Sequence, residues 1–123
     1  MIIFRIRHFS DLQTRKMITK LTEKLDRDRI EDYEVSDKIP RDVISISPDP
    51  SSINIYIPRD LEYSQYTIDD TIRSLVPHLR TTTTLERDIY VMKLSGTLNF
   101  DQLYKLIREI IEDNEFCSII DCD

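Results

Sequence analysis

Residues 88–121 read as a strand, a helix and a second strand, and this unit limits the folds open to the chain. The pattern predicts a strand over 89–94, a helix over 99–114 and a strand over 116–120. Two apolar strands joined by a helix of this length form a βαβ unit, whose crossover is nearly always right-handed. The remaining segments must therefore add strands and helices to this unit.

The N-terminal part of the chain predicts a strand followed by a helix. Residues 2–8 alternate apolar and polar side chains, as a strand with one buried face does. Ser10 and Gln13 match a capping box, so a helix should begin there and end near 28. The charged segment 26–42 is interpreted as a solvated connector.

The middle of the chain predicts a hairpin and a second helix. Two short β-rich runs, 43–47 and 53–57, flank a proline-containing turn. Thr67 is a candidate N-cap with acids after it, and the helix should end at Pro77. The threonine-rich segment 80–84 is interpreted as a linker or as the lead-in to the next strand.

This order of elements predicts one α+β domain that spans residues 1–123. We expect a two-layer sandwich with a mixed five-stranded sheet and helices mainly on one face. The first six elements have the βαββαβ connectivity of a ferredoxin-like fold, and a C-terminal helix and strand extend it.

Composition excludes several function classes. The net charge of −6 opposes non-specific binding to nucleic acid. A single glycine and the absence of alanine are incompatible with a glycine-rich phosphate loop, so no nucleotide cofactor is expected. No stretch approaches the roughly 20 apolar residues of a membrane span. Two cysteines, Cys117 and Cys122, do not make a disulfide framework, so both are expected to be reduced inside a host cell or a virus particle.

The second face of the predicted sheet is the main candidate site. It carries Ile3, Arg5, Arg7, Asn54, Tyr56, Ile89, Val91, Lys93 and Ile119. If the helices cover only the other face, this mixture of apolar and basic side chains is exposed, and such patches mark interfaces. The sequence therefore predicts a homo-oligomer that binds protein, such as an inhibitor, adaptor or assembly component of a virus or mobile element. In the alternative layout a helix covers part of this face, and Ile3, Val91 and Ile119 are core residues.

A nucleic-acid site is an alternative on the same face. Arg5, Arg7 and Lys93 would contact phosphates while Tyr56 stacks on a base of a single strand. The chain lacks the aromatic-rich strand of an RNA-recognition motif, which weakens this alternative.

A hydrolase-type active site is a second alternative. If the strands 2–8, 89–94 and 116–120 are parallel, their C-terminal ends gather His8, Asp11, Ser95 and Asp121 at one edge. A histidine near a hydroxyl and a carboxylate is a candidate general base. Asp11 is equally explained as a first-turn acid of the helix.

The sequence predicts no metal centre. His8, His78, Cys117 and Cys122 are the only soft ligands, and no pair among them has the spacing of a metal motif.

Overall fold

The computed structural model describes residues 12–48, 52–114 and 116–121. The helices are α1 (Leu12–Arg27), α2 (Ser64–Leu75) and α3 (Phe100–Asp113), with a short 3-10 turn at Arg59–Leu61. The strands are β1 (Tyr33–Ser36), β2 (Ile44–Ser47), β3 (Ser52–Pro58), β4 (Arg80–Glu86), β5 (Ile89–Ser95) and β6 (Cys117–Ile120). None of the helices in these ranges is long and apolar enough to cross a membrane.

The six strands form one sheet in the order β1-β6-β2-β3-β5-β4. β6 lies between β1 and β2 and is parallel to both. β3 is antiparallel to β2 and to β5, and β4 is antiparallel to β5. We call β1, β6 and β2 the parallel half of the sheet, and β3, β5 and β4 the antiparallel half.

One face of the sheet, the core face, packs on the helices. Cross-strand partners share a face, and the pairs Ile46–Ile55 and Ile55–Met92 place the apolar residues of three strands on the same side. These side chains belong to one buried cluster with residues from all three helices. The opposite side is the outer face.

The strand–helix–strand unit predicted near the C-terminus is confirmed. Asn99 caps α3, because its side chain accepts from the Gln102 backbone N–H at 2.8 Å and the Gln102 side chain accepts from the Asn99 N–H at 3.1 Å. α3 buries six side chains, namely Leu103, Tyr104, Leu106, Ile107, Ile110 and Ile111. β5 and β6 run in the same direction, but β3 and β2 lie between them.

The α+β class is confirmed, whereas five strands and ferredoxin-like connectivity are not. The described residues alone form six strands, and the predicted strand at 2–8 lies outside them. Sequence analysis assigned 26–42 to a connector and 80–84 to a linker or lead-in, where the structure has β1 and β4. β4, and not β5, is therefore the strand that α2 joins in parallel to β3, with β5 inserted between them.

The second helix begins earlier than predicted. α2 starts at Ser64, so Thr67 lies inside the helix and is not its cap. Tyr63 occupies the N-cap position without a side-chain cap hydrogen bond. The preceding 3-10 turn leads into the helix, since the Gln65 N–H donates to the Glu62 carbonyl at 3.0 Å. The end of the helix before Pro77 is as predicted.

Tyrosine–carboxylate hydrogen bonds fasten the end of α1. The Tyr104 hydroxyl, from α3, donates to Asp28, and the Tyr33 hydroxyl, from β1, donates to Asp26 at 2.6 Å. Lys24 lies 4.3 Å from the centre of the Tyr104 ring. Burial, then the hydrogen bond to Asp28, raises the pKa of Tyr104 to about 12. The same causes, with Asp26 as acceptor, raise the pKa of Tyr33.

Candidate functional site

The outer face is covered over the parallel half of the sheet. Ser45 and Ser118 face each other across β2 and β6 and have no exposed surface, and Ile120 is also buried. The prediction that the helix-free face is uncovered is therefore wrong for these strands. Within the described part of the chain, the hydroxyls of Ser45 and Ser118 have no hydrogen-bond partner.

The order and direction of the strands explain why the outer face of the parallel half is covered. α3 connects β5 to β6, whereas residues 37–43 connect β1 to β2 in the opposite direction across the sheet. Right-handed crossovers that run in opposite directions between parallel strands lie on opposite faces. We therefore expect 37–43 to cross the outer face, and Ile39, 8% exposed, is its buried apolar residue.

The predicted interface residues divide between the two faces. Ile119 pairs with Ile46 and is fully buried on the core face, so its assignment to the second face is wrong. The side-chain period of a strand is two, and an error of one position reverses the face. Ile3, Arg5 and Arg7 lie outside the described residues.

The other predicted interface residues do share the outer face of the antiparallel half. Tyr56 pairs with Val91, and Asn54 pairs with Lys93. Ile89 lies on the same face two positions before Val91. Lys93 is exposed and Val91 is half-buried, so part of the predicted surface reaches solvent.

Tyr56 does not have the exposure that base stacking needs. It is 8% exposed, and a ring that carries a base must present one open side. Two of the three predicted phosphate-binding residues, Arg5 and Arg7, lie outside the described residues. The described part of the chain thus leaves Lys93 as the exposed member of that site.

The residues predicted for an active site are not brought together within the described ranges. Ser95 is the last residue of β5 and Asp121 follows β6, so both lie at the end of the sheet where these two strands finish. Three strand spacings separate β5 from β6, which puts these residues roughly 14 Å apart, beyond direct proton transfer. His8 and Asp11 lie outside the described residues.

His78 and Cys117 are two further side chains that could carry chemistry, and the surroundings of each are as follows. The Nε2 atom of His78 is 2.9 Å from the Thr97 carbonyl oxygen. Burial raises the pKa of the Cys117 thiol to about 12, which suppresses its thiolate. Among the described residues, no three histidine, cysteine or acidic side chains are grouped so that they could hold a metal ion.

β4 forms an exposed edge of the sheet. Among the described strands it pairs only with β5, so one side of its backbone has no ladder partner there. All seven of its residues except Thr81 are exposed, and the strand contains neither proline nor glycine. A two-residue turn at Arg87 and Asp88 joins it to β5, and Arg87 has a positive φ of 59°.

A groove of about 500 Å³ runs between β4 and α2 on the core face. Tyr66 and Arg73 line the helix side, and Thr81 and Thr83 line the strand side. Its floor is apolar and is formed by Ile72, Val76, Leu79 and Met92. The groove exists because α2 leaves the core face of the edge strand uncovered.

Apolar surface is exposed beside this groove. Leu85, on the core face of β4, is 47% exposed, and Tyr66 is 72% exposed. Leu85 pairs across the ladder with Tyr90, whose hydroxyl donates to a carboxylate oxygen of Glu62 at 2.9 Å. That hydrogen bond is the main reason why the pKa of Tyr90 is raised.

Sequence analysis missed this edge because a threonine run resembles a linker. Its signal was present: four consecutive β-branched residues, Thr81 to Thr84, favour a strand. The turn that follows lacks the Asn-Gly or Asp-Gly pair that identifies a hairpin.

Comparisons with protein-family models, with curated proteins and with solved structures gave no match to this chain.

Proposed function

We propose that this protein is a non-enzymatic protein-binding domain and that it binds an extended strand of its partner at the edge of β4. The observation that carries the proposal is a seven-residue exposed strand with a ladder on one side among the described strands. Backbone N–H and C=O groups on such an edge are a template for another strand, and strand addition is a common mode of recognition.

As far as the described ranges extend, this edge lacks the usual protections against association. Proteins shield exposed edges with proline, bulges, very short strands or charged residues in the middle of the strand. β4 pairs with β5 without interruption over seven residues, and its charges lie only at its ends, at Arg80 and Glu86. Five uncharged residues therefore present a continuous surface to a partner strand.

Side-chain contacts would supply specificity. Alternate residues of an added strand would point toward the groove between β4 and α2, where the exposed Tyr66 ring and the Asp69–Arg73 ion pair are available. On the other side, Val91 and Lys93 lie on the outer face next to Thr84 and Thr82. The interface predicted from sequence is thus reduced to the antiparallel half and extended to its edge.

The oligomeric state and the location predicted from the sequence are compatible with this proposal. A homo-oligomer remains the expected state, because an edge strand can also pair with a second copy. The two cysteines, which do not make a disulfide framework, fit a location inside a host cell or a virus particle.

Selection of peptides against the edge tests the proposal. Random peptides displayed on phage would be selected on the wild-type protein, and amide hydrogen exchange would then locate each selected peptide. We expect protection in residues 80–86 and binding at least about tenfold weaker to Thr83→Lys, since a lysine in the middle of an edge blocks strand addition.

Val35→Lys is the matched control at the opposite edge of the sheet. Val35 is an exposed residue of β1, so the same charge is introduced at the other edge strand. Peptides that bind both variants as tightly as the wild type, or that protect another surface, would contradict the proposal.

A further inference from the structure

We infer that the strand added at this edge is β4 of a second copy, antiparallel and centred on Thr83. This inference rests on the proposed function and names its partner. Antiparallel pairing about a two-fold axis places each residue opposite the one equally far from the centre on the other copy. In such a dimer the segment Arg80–Glu86 therefore pairs with its own sequence read in reverse.

The reversed sequence is complementary in charge. About Thr83, Arg80 of each copy lies opposite Glu86 of the other, so the pair forms twice. Both residues belong to the outer face, since Arg80 pairs with Ser95 and Glu86 with Ile89 in the existing ladder. Both are exposed, and neither forms a salt bridge with another described residue. Opposite charges directly across antiparallel strands are favourable.

The reversed sequence is also complementary in shape on the core face. Leu85 of one copy lies opposite Thr81 of the other, and directly opposed Cβ atoms are about 5 Å apart. Thr81 lines the groove between β4 and α2, so the exposed Leu85 would enter the groove of its partner. Thr82 lies opposite Thr84, a pair of β-branched residues that suits a strand.

In this register all seven residues of β4 lie opposite a residue of the other copy, and each charged residue lies opposite one of the other sign. A shift of the centre to Thr82 would place Arg80 opposite Thr84 and Glu86 beyond Arg80, and a shift to Thr84 would place Glu86 opposite Thr82; either shift would remove Leu85 from Thr81. The centred register therefore satisfies both ends of β4 and the groove at once, and it joins two six-stranded sheets into one continuous sheet.

Exchange of charges tests the register. Arg80→Glu and Glu86→Arg each turn both end pairs into like charges, so each variant alone should self-associate about tenfold more weakly than the wild type or worse. A mixture of the two variants restores both pairs, because one copy supplies two acids and the other two arginines. Sedimentation velocity should show monomers for each variant alone and dimers for the mixture.

Disulfide trapping tests the centre. In a Cys122→Ser background, Thr83→Cys should oxidise to a covalent dimer, because directly opposed Cα atoms of antiparallel strands lie about 4.5–5.5 Å apart, within disulfide range. Thr81→Cys is the control. Its two copies would be separated by four residues along the strands, about 14 Å, and should not be linked.

The outcomes separate this inference from the proposed function. A wild-type protein that stays monomeric at its highest soluble concentration overturns self-pairing. So does a mixture that fails to associate although the wild type does, or a Thr81→Cys variant that is linked as readily as Thr83→Cys. Peptides that protect 80–86 and are lost in Thr83→Lys would then still support strand addition with another protein.

Discussion

The parallel and antiparallel halves of this sheet differ in how far the side chains on their outer faces are exposed to solvent. In the parallel half, Ser45, Ser118 and Ile120 are buried on the side away from the helices. In the antiparallel half, Thr82, Thr84 and Lys93 are exposed on that same side. Crossover connections between parallel strands cover both faces of a sheet, whereas the hairpin that joins β4 to β5 leaves the outer face of these two strands exposed.

The two halves also differ in the edge strand that each offers for pairing with another chain. β1 is an edge strand of only four residues. β4 is a seven-residue strand with six exposed residues beside an open groove, and among the described strands it pairs with β5 alone. Short edges resist pairing and long edges invite it, so the proposed strand addition falls in the antiparallel half.

The largest expected effect contrasts two residues that sequence analysis placed on one surface. Ile119→Asp should lower the free energy of unfolding by more than about 4 kcal/mol, because it puts a carboxylate into the core of the parallel half. Val91→Asp should cost only about 1 kcal/mol, because Val91 is half-buried at the solvated face. Urea denaturation of both variants measures this, and equal losses would show that Val91 is also a core residue.

The second effect is loss of stability in alkali, and it should arise at Cys117 in β6 and at Tyr104 in α3. Burial raises the pKa of Cys117 from 9.0 to about 12 and, together with Asp28, that of Tyr104 from 10.0 to about 12. A group whose pKa is raised in the folded state contributes stability that is complete below its unfolded pKa and is lost as the pH passes the folded value. For Tyr104 alone this amounts to about 2–3 kcal/mol between pH 10 and pH 12.

A pair of tyrosine variants separates the contribution of Tyr104, in α3, to this loss of stability from that of Tyr90, in β5. Tyr104→Phe should flatten the decline in stability above about pH 10, where the unfolded phenol ionises. Tyr90→Phe should leave it nearly unchanged, since the Tyr90 pair with Glu62 is exposed to solvent and screened. Urea denaturation at a series of pH values would contradict this assignment if Tyr90→Phe had the larger effect.

The third effect concerns the junction that holds β4 in place. Gly96 has a φ of 140°, and a Cβ at this position would lie 2.7 Å from Cδ2 of Leu79. Gly96→Ala should therefore cost about 1–3 kcal/mol, from backbone strain together with displacement of Leu79. In a Leu79→Ala background the added cost should be smaller, and thermal unfolding of the four proteins in this cycle measures the difference. Full additivity would show that contact with Leu79 contributes nothing.

The smallest effect is an expected gain in the parallel half. Ser118→Ala and Ser45→Ala each remove a buried hydroxyl that has no hydrogen-bond partner within the described ranges. Each should leave the free energy of unfolding unchanged or raise it by up to about 1 kcal/mol. Thr84→Ala, at an exposed site on the same face, is the control. A loss above about 1 kcal/mol in either serine variant would mean that the hydroxyl is bonded.

Local sequence patterns predicted the elements whose signals are local. The α3 capping box, its apolar stripe and the flanking strands were predictable because hydrogen bonds and side-chain spacing within one segment specify them. The strands β2 and β3 followed from alternation and a proline turn. The start of α2 was missed because a 3-10 turn, which leaves no capping residue, precedes it.

The candidate site was only partly predictable. Val91 and Lys93 were placed correctly on the outer face, because alternation fixes which residues of a strand share a side. Ile119 was misplaced, since a short strand with apolar residues at successive positions gives no alternation to read. The edge at β4 was not predicted, because propensity alone does not tell which strand lies last in a sheet.

By itself, the sequence determined the α+β class, the C-terminal strand–helix–strand unit and the exclusion of a glycine-rich phosphate site, because each depends on residue types at fixed spacing. Only the tertiary structure decided the strand order, the half of the outer face that is covered, and the edge that has no ladder partner among the described strands. Those features depend on pairings between residues far apart in the chain. Such pairings are chosen by the joint packing of all elements and leave no mark within any one segment.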